Sequence, residues 1–330
     1  MEKFNAIKLT EPDEKESLDI MPFEDFIAEI EEKIFELDEK TDRGENHSDF
    51  LDNFVKERKK IIDTITDKKR KNLAAGLFGA HEILIKDAVE RENGARSEAL
   101  KIMDAEWQQE IIHFIGGNPP REELEAFWAE YDALFDYYGK PEAARGEKLK
   151  SGILGTLAVE KFLKSRGFDV HYPTAEADVR DMVDLLAYDE KNKNNFLIQI
   201  KVRNKKVKEM AQNGGALDIY EDIPYFDFEK EEIAKVFGEE HFKTANAEIK
   251  EGNDYDKFKA GCFRYVKENQ KYFNQAGQKG YRTNGMYLHA PYSAKGKRLI
   301  DIDGEPSEDF ASILIIAGKV EQKLGIANNK

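Results

Sequence analysis

Residues 182–203, MVDLLAYDEKNKNNFLIQIKVR, decide the fold of this 330-residue chain. Two apolar stretches, 182–188 and 196–203, flank a polar segment rich in Asn, Lys and Asp/Glu. Short apolar runs on both sides of a turn-forming segment are typical of two antiparallel strands, so the stretch predicts a β-hairpin. We place the centre of its turn between Asn192 and Lys193, which sets the register of the two strands.

Three polar side chains interrupt these apolar strands. In the predicted register Asp184 lies opposite Lys201, and Gln199 shares their face because side chains alternate along a strand. The other face is predicted to carry Val183, Leu185, Ala187, Ile198, Ile200 and Val202. Strands this apolar indicate a sheet covered on both sides, where an unpaired Asp or Lys is costly to bury. Asp184 and Lys201 are therefore either a structural ion pair across the hairpin or part of a functional site.

The chain before the hairpin is predicted to be helical. Apolar residues spaced by three and four predict helices over 23–37, 48–65, 79–92 and 97–115, and another that follows the Gly/Pro break at 116–120 and ends near 139–141. Ser48 is the expected N-cap of the second helix. The helical pattern stops at about 140–146, where we expect a domain boundary.

The second part of the chain alternates between strands and helices. The predicted elements are a helix over 147–166, a strand over 168–172, the hairpin, an irregular stretch over 204–255, a helix over 257–274, strands over 286–289 and 299–302, and a closing helix over 310–324. Their order is α-β-β-β-α-β. We expect an acidic arm over 1–20, an α-helical domain over 21–143 and an α/β domain over 144–330.

The charge of the chain is unevenly distributed. The net charge is −15, yet the first 140 residues carry 20 Lys+Arg and 35 Asp+Glu, while the remainder carries 31 of each. Local basic clusters, rather than the overall charge, therefore decide any contact with phosphate groups. The single cysteine excludes an internal disulfide and a cysteine-based zinc site. The sequence shows neither a secretory signal nor an apolar run of membrane-spanning length, so we expect a soluble cytoplasmic protein without a membrane partner.

The element order and the polar residues of the hairpin resemble the PD-(D/E)XK nuclease superfamily. Its shared core is α-β-β-β-α-β, and its signature is an Asp on the second strand and (Asp/Glu/Gln)-x-Lys on the third. Here that signature stands as Val183-Asp184 and Gln199-Ile200-Lys201, and the resemblance covers residues of about 147–290. Val183 replaces the Pro of the family name, and Gln199 replaces the usual acid. The resemblance implies a restriction-endonuclease-like core behind an N-terminal α-helical domain.

The resemblance also implies a metal-dependent endonuclease that hydrolyses DNA with Mg²⁺, or alternatively Mn²⁺. The metal ligands implied are Asp184, Gln199, the Ile200 carbonyl and Glu160; the catalytic residues are Asp184, Gln199, Lys201 and Glu160. Family members often carry a Glu where this chain has Thr156. Glu160 lies one turn later, about 40° around the helix and ~6 Å along it, and so projects from the same face. The alternative is that Glu160 is an ordinary surface residue.

Basic residues near the motif are candidates for contacts with DNA. They are Arg203, Lys205, Lys206 and Lys208 after the second hairpin strand, and Arg264, Lys267 and Lys271 on the helix predicted over 257–274. A solvated loop is the alternative interpretation of the first group. The function expected first is a restriction-type endonuclease, which by analogy would act as a homodimer to cut both strands. The alternatives are a transposition or repair nuclease acting in a complex and a catalytically inactive nuclease-fold protein that binds DNA or serves as a scaffold.

Overall fold

The structure is a computed structural model, and it describes residues 18–40, 47–92, 97–137, 140–202, 225–228, 254–290, 292–294 and 297–310. Several predictions concern other parts of the chain. Most of the acidic arm, the closing helix over 310–324 beyond its first residue, and the basic residues Arg203, Lys205, Lys206 and Lys208 lie outside the described residues.

Helices make up the first part of the described chain. They are α1 (Phe23–Lys40), α2 (His47–Thr64), α3 (Lys68–Glu92), α4 (Glu98–Gly116), α5 (Arg121–Tyr137) and α6 (Lys140–Ser165). The prediction of Ser48 as an N-cap was wrong, because α2 begins at His47 and Ser48 lies inside the helix. Ser97 does cap α4, since its side chain accepts a hydrogen bond from the Leu100 amide.

Shorter elements follow α6. They are β1 (Asp169–His171), α7 (Ala175–Asp181), β2 (Leu185–Asp189), β3 (Asn194–Val202), β4 (Tyr225–Phe228), α8 (Asp254–Glu268), α9 (Gln270–Gln278), β5 (Arg282–Ala290), β6 (Ser293–Ala294) and β7 (Lys297–Arg298). Within the described ranges, no helix has the length and apolar composition required to cross a membrane. The helix predicted over 257–274 is divided into α8 and α9 at Asn269.

The fold is mixed α/β, built on a five-stranded sheet with the order β1-β2-β3-β5-β4. β1, β2 and β3 form an antiparallel meander, and β5 joins β3 in parallel after the α8–α9 crossover. β4 completes the edge by pairing antiparallel with β5. It falls within the stretch that was predicted to be irregular over 204–255, and α7 was not predicted either.

The hairpin register differs from the predicted one by two residues. Its last pair is Asp189 with Asn194, so the loop of four residues is centred one position earlier than expected. The Asp189 carboxylate accepts hydrogen bonds from the backbone N–H of Asn192 (3.0 Å) and from its side-chain amide (2.6 Å). Lys193 adopts a left-handed conformation with φ 55°. These local bonds close the turn at this position.

Most of the apolar core is continuous from the N-terminal helices to the sheet. One buried cluster includes Phe26 of α1, Leu77 of α3, Ile111 of α4, Phe127 of α5, Leu154 of α6, Leu185 of β2, Ile198 of β3 and Met286 of β5. Helix α6 begins within the expected boundary at 140–146 and packs into this shared core.

The opposite face of the sheet packs against α8 and α9. Its buried cluster consists of Val183, Leu186, Leu197, Phe258, Cys262, Val266 and Phe273. The prediction that Val183 shares the face of Leu185 was wrong. Met182 is left-handed (φ 56°) and β2 begins only at Leu185, so Val183 precedes the regular alternation of the strand. Cys262 is fully buried, as expected for a small apolar side chain.

Candidate active site

A cavity of about 360 Å³ lies where β2 begins and β3 ends, and α4, α6 and α7 supply its other walls. Its polar lining consists of Lys101, Asp104, Gln108, Gln109, Thr156, Tyr172, Asp178, Asp184, Gln199 and Lys201. The structure therefore brings together Asp184, Gln199 and Lys201, as the hairpin predicted. The shift of two residues places Asp184 beside Gln199, rather than opposite Lys201, and leaves all three in one cavity.

Asp184 is held firmly by the neighbouring strand. Its Oδ2 accepts a hydrogen bond from the backbone N–H of Ile200 (2.5 Å) and another from Gln199 Nε2 (2.6 Å). Its own backbone N–H donates to the Ile198 carbonyl (2.8 Å), so the pairing with β3 extends one residue before the start of β2. Gln199 is buried, whereas Asp184 keeps some surface exposed to the cavity. The carboxylate orientation is therefore set by β3 before any ligand binds.

Asp178 is a second carboxylate that the sequence analysis missed. It lies on α7, which Thr174 caps by accepting a hydrogen bond from the Ala177 amide. Asp178 and Asp184 line the same cavity, and the charge of each carboxylate acts on the other. Burial, followed by the charge of Asp184, raises the pKa of Asp178 to about 8, and burial also raises the pKa of Asp184 to about 6. An N-cap residue followed by acids was the available signal for a short helix between the first two strands.

Positive and negative charges from two other elements meet these carboxylates. Lys201 is half-buried, and its ammonium lowers the pKa of both Asp178 and Asp184. Asp104 of α4 is buried and lines the same cavity, and its negative charge raises the pKa of Asp178. Gln109, also on α4, donates to the Pro173 carbonyl just before α7 (3.2 Å). The N-terminal helical part thus forms one wall of the site.

Glu160 is not among the residues that line the cavity. Its carboxylate accepts a hydrogen bond from the Tyr172 hydroxyl (2.5 Å) and pairs with Lys164 one turn later (2.6 Å). Thr156, one turn before Glu160, does line the cavity. Helix α6 therefore presents the position identified from the resemblance, but without an acid there, and Asp178 from α7 is the carboxylate beside Asp184.

The predicted basic stripe is not a single surface. Arg264 donates to the buried Asp181 side chain and to the Arg180 carbonyl, so its guanidinium joins α8 to the end of α7. Lys267 lies in the last turn of α8, and Lys271 is exposed on α9, beyond the break at Asn269. Arg264 therefore belongs to a buried ion pair, whereas phosphate contact was predicted for it.

The donor atoms of the cavity are of the kind that a hard divalent cation prefers. Asp178 and Asp184 offer carboxylate oxygens, and Gln199 offers an amide oxygen. The cost of burying two adjacent carboxylates is also what a cation would relieve. Among the described residues, no group of three or more His, Cys, Asp or Glu side chains is arranged to hold a metal ion. The candidate set therefore depends on two carboxylates together with neutral oxygen atoms.

Comparisons with models of protein families, with curated proteins and with solved structures gave no match.

Proposed function

We propose that this chain is a metal-dependent nuclease that hydrolyses DNA phosphodiester bonds. The observation that carries this proposal is the meeting of Asp184, Gln199 and Lys201 in one cavity, with Asp178 as a second carboxylate in the same lining. Two carboxylates, an amide and an ammonium group in a cavity bounded by a sheet provide the charges that phosphodiester hydrolysis requires.

The order of the elements supports the same function. Helix α6, the meander of β1, β2 and β3, the α8–α9 crossover and the parallel strand β5 follow the α-β-β-β-α-β order expected from the resemblance. The departures are α7, inserted between β1 and β2, and the edge strand β4. Helix α7 carries Asp178, so the inserted helix supplies the carboxylate that α6 lacks at Thr156.

Each residue has a role that its position can sustain. Asp184, oriented by two donors from β3, and Asp178 are the candidate cation ligands, with Gln199 Oε1 and the Ile200 carbonyl as neutral ones. A divalent cation held there, Mg²⁺ or Mn²⁺, would neutralise charge on the phosphate and acidify a water molecule. Lys201 can donate hydrogen bonds to the attacking water or to a non-bridging phosphate oxygen. Asp104, which is buried on α4, also lines this cavity.

The test is cleavage of supercoiled plasmid in Mg²⁺ or Mn²⁺, with a chelator as the blank. We expect cutting only with metal, and at least a 100-fold loss of rate in each of Asp184→Asn, Asp178→Asn and Lys201→Ala. Lys60→Ala is the matched control, because this lysine lies on α2 with its side chain 61% exposed. Cutting by Lys201→Ala at the wild-type rate, or cutting in the chelator, would overturn the mechanism.

The second acid can be identified with a further variant. Glu160→Gln should lose less than about fivefold in rate, because its carboxylate is bonded to Tyr172 and Lys164 outside the cavity lining. If Glu160→Gln is inactive and Asp178→Asn is active, the carboxylate assignment is wrong.

The resemblance suggests a restriction-type endonuclease acting as a homodimer, and the products of the plasmid assay distinguish this from the alternatives. Direct conversion to linear DNA would support double-strand cutting by two subunits, whereas nicking would favour a repair or transposition nuclease. DNA binding without cutting, equal in the wild type and Lys201→Ala, would instead indicate an inactive nuclease-fold protein that binds DNA.

A further inference from the structure

A second cavity, of about 530 Å³, lies beside β1, β2 and α9. We call it the tyrosine pocket, and its lining consists of Asp169, His171, Tyr188, Glu190, Tyr272, Gln275, Ala276, Lys279 and Tyr281. It is separate from the candidate active site, since the two cavities have no lining residue in common.

The tyrosine pocket presents an aromatic surface that is only partly used within the fold. Tyr272 is 45% exposed, and it is one of two large apolar side chains that are exposed in the described part of the chain. Its ring lies edge-on to Tyr188, with centroids 5.9 Å apart, and edge-on to Phe273, with centroids 5.1 Å apart. Tyr281 is already covered on one side by Lys193, whose Nζ lies 4.8 Å from the ring centroid. Tyr272 is therefore a fixed aromatic ring with surface left for a ligand.

Groups of opposite charge surround these rings. Asp169 and Glu190 supply carboxylate acceptors, and Lys279 at the C-terminus of α9 supplies an ammonium donor. The Asp169 carboxylate also lies 2.9 Å from His171 Nε2. An aromatic surface with hydrogen-bond acceptors and a nearby cation matches the parts of a nucleotide: the flat base, its exocyclic amino group and its phosphate. An aliphatic or a purely anionic ligand would leave either the rings or the carboxylates without a counterpart.

We propose that the tyrosine pocket binds an unpaired nucleobase that carries an exocyclic amino group, stacked on Tyr272. Carboxylate acceptors favour cytosine, whose N4 amino group donates, over thymine, which presents a carbonyl at that position. The ligand is nucleic acid, so this inference rests on the nuclease function proposed above.

The tyrosine pocket and the candidate active site lie towards opposite ends of β2. Asp184 directly precedes β2 and Tyr188 lies near its other end, so the two residues are about 13 Å apart along the strand direction. Helices α8 and α9 cover the sheet between the two cavities, so a nucleic-acid strand would pass around them to reach both.

Binding of short single-stranded oligonucleotides in a chelator, followed by fluorescence anisotropy, tests the tyrosine pocket without cleavage. We expect an oligo-dC probe to bind more tightly than an oligo-dT probe of equal length. Tyr272→Ala should weaken binding of oligo-dC by about 5- to 150-fold, which is the range for loss of one base–aromatic stack. Tyr272→Phe keeps the ring and should bind within about threefold of the wild type. Gln278→Ala, an exposed change on the same helix, is the matched control.

The outcomes separate this proposal from the nuclease function. If Tyr272→Ala binds oligo-dC as tightly as the wild type does, or if oligo-dT binds as tightly as oligo-dC, the tyrosine pocket is not the proposed base site. That result leaves the plasmid assay and its Asp184→Asn variant unaffected. Conversely, dC-selective binding that is lost in Tyr272→Ala supports the pocket even if no metal restores cleavage, and then the nuclease function alone fails.

Discussion

Replacing Arg264 with Ala separates two explanations of this residue. As part of a basic stripe, Arg264 would contact a phosphate and contribute little to stability. In the structure its guanidinium is instead bonded to Asp181, which has no exposed surface, and to the Arg180 carbonyl. The Arg264 side chain is only 12% exposed. The variant therefore leaves a carboxylate buried at the junction of α7 and α8 with one of its two arginines removed.

The size of the effect follows from this geometry. Breaking a buried ion pair by removing one partner costs about 3–5 kcal/mol. Arg180 still reaches Asp181 at 3.3 Å, so we expect the lower end, about 3 kcal/mol. Burial already raises the pKa of Asp181 although two arginines lower it, so loss of Arg264 leaves the charged form more costly. For a chain of this length the loss corresponds to a decrease of roughly 4 °C in Tm.

Urea unfolding followed by circular dichroism measures this loss of stability. Adding Asp181→Asn to the Arg264→Ala variant should restore part of the free energy of unfolding, because it removes the buried charge. Lys271→Ala, an exposed change on α9, is the control and should leave stability unchanged. In DNA binding, loss of a phosphate contact lowers the slope of log K against log salt concentration by about one. A decrease of that size in Arg264→Ala with less than about 1 kcal/mol of destabilisation would refute the buried-pair assignment.

Three further predictions concern other parts of the chain. The N–H of Ile302 holds the pKa of Asp301 below its usual value, so the ionised carboxylate stabilises the folded state. This contribution is complete above about pH 4 and is lost as pH falls through the lowered pKa. The Tm curves of the wild type and Asp301→Asn should therefore converge at acid pH. The thiol of Cys262 is buried and its pKa is raised, so a thiol reagent should label it only as the protein unfolds, and rapid labelling of folded protein would contradict its placement. A Cβ on Gly155 would lie 2.2 Å from Val202 Cγ2, so Gly155→Ala should destabilise by about 1–3 kcal/mol in urea unfolding, and a gain in stability would show that α6 and β3 pack less closely.

The long periodic elements were predictable from sequence because their patterns are local. Apolar spacing of three and four gave α1 and α4, and the alternation around a turn gave β2 and β3. Strand β4 could not be recognised in the same way, since it is four residues long and is defined by its pairing with β5. Helix α7 is also too short for a clear apolar period, and Asp178 was missed with it.

The fate of the candidate site residues depended on what each prediction required. To place Asp184 and Lys201 on one face, the prediction needed only the presence of the strands and their alternation, and the sequence shows both directly. Glu160 and Arg264 needed knowledge of their partners, and no local pattern shows that Tyr172 or Asp181 will occupy them. Charged side chains on helices can satisfy several partners within reach, so helical phase alone does not decide which one is chosen.

The error in hairpin register shows why Asp184, Gln199 and Lys201 still lie in one cavity. Moving one strand by two residues changes which side chains are opposite one another but keeps each on its original face, because side chains alternate with a period of two. Asp184 thus moved from Lys201 to Gln199 without leaving the cavity. A displacement of one residue would have separated Asp184 from both. The same reasoning gives a test at the turn. If inserted residues shift β3, one residue inserted into the loop at 190–193 would turn Gln199 and Lys201 to the opposite face and should abolish metal-dependent cutting. Two inserted residues would return both side chains to their original face and should leave a higher rate of cutting.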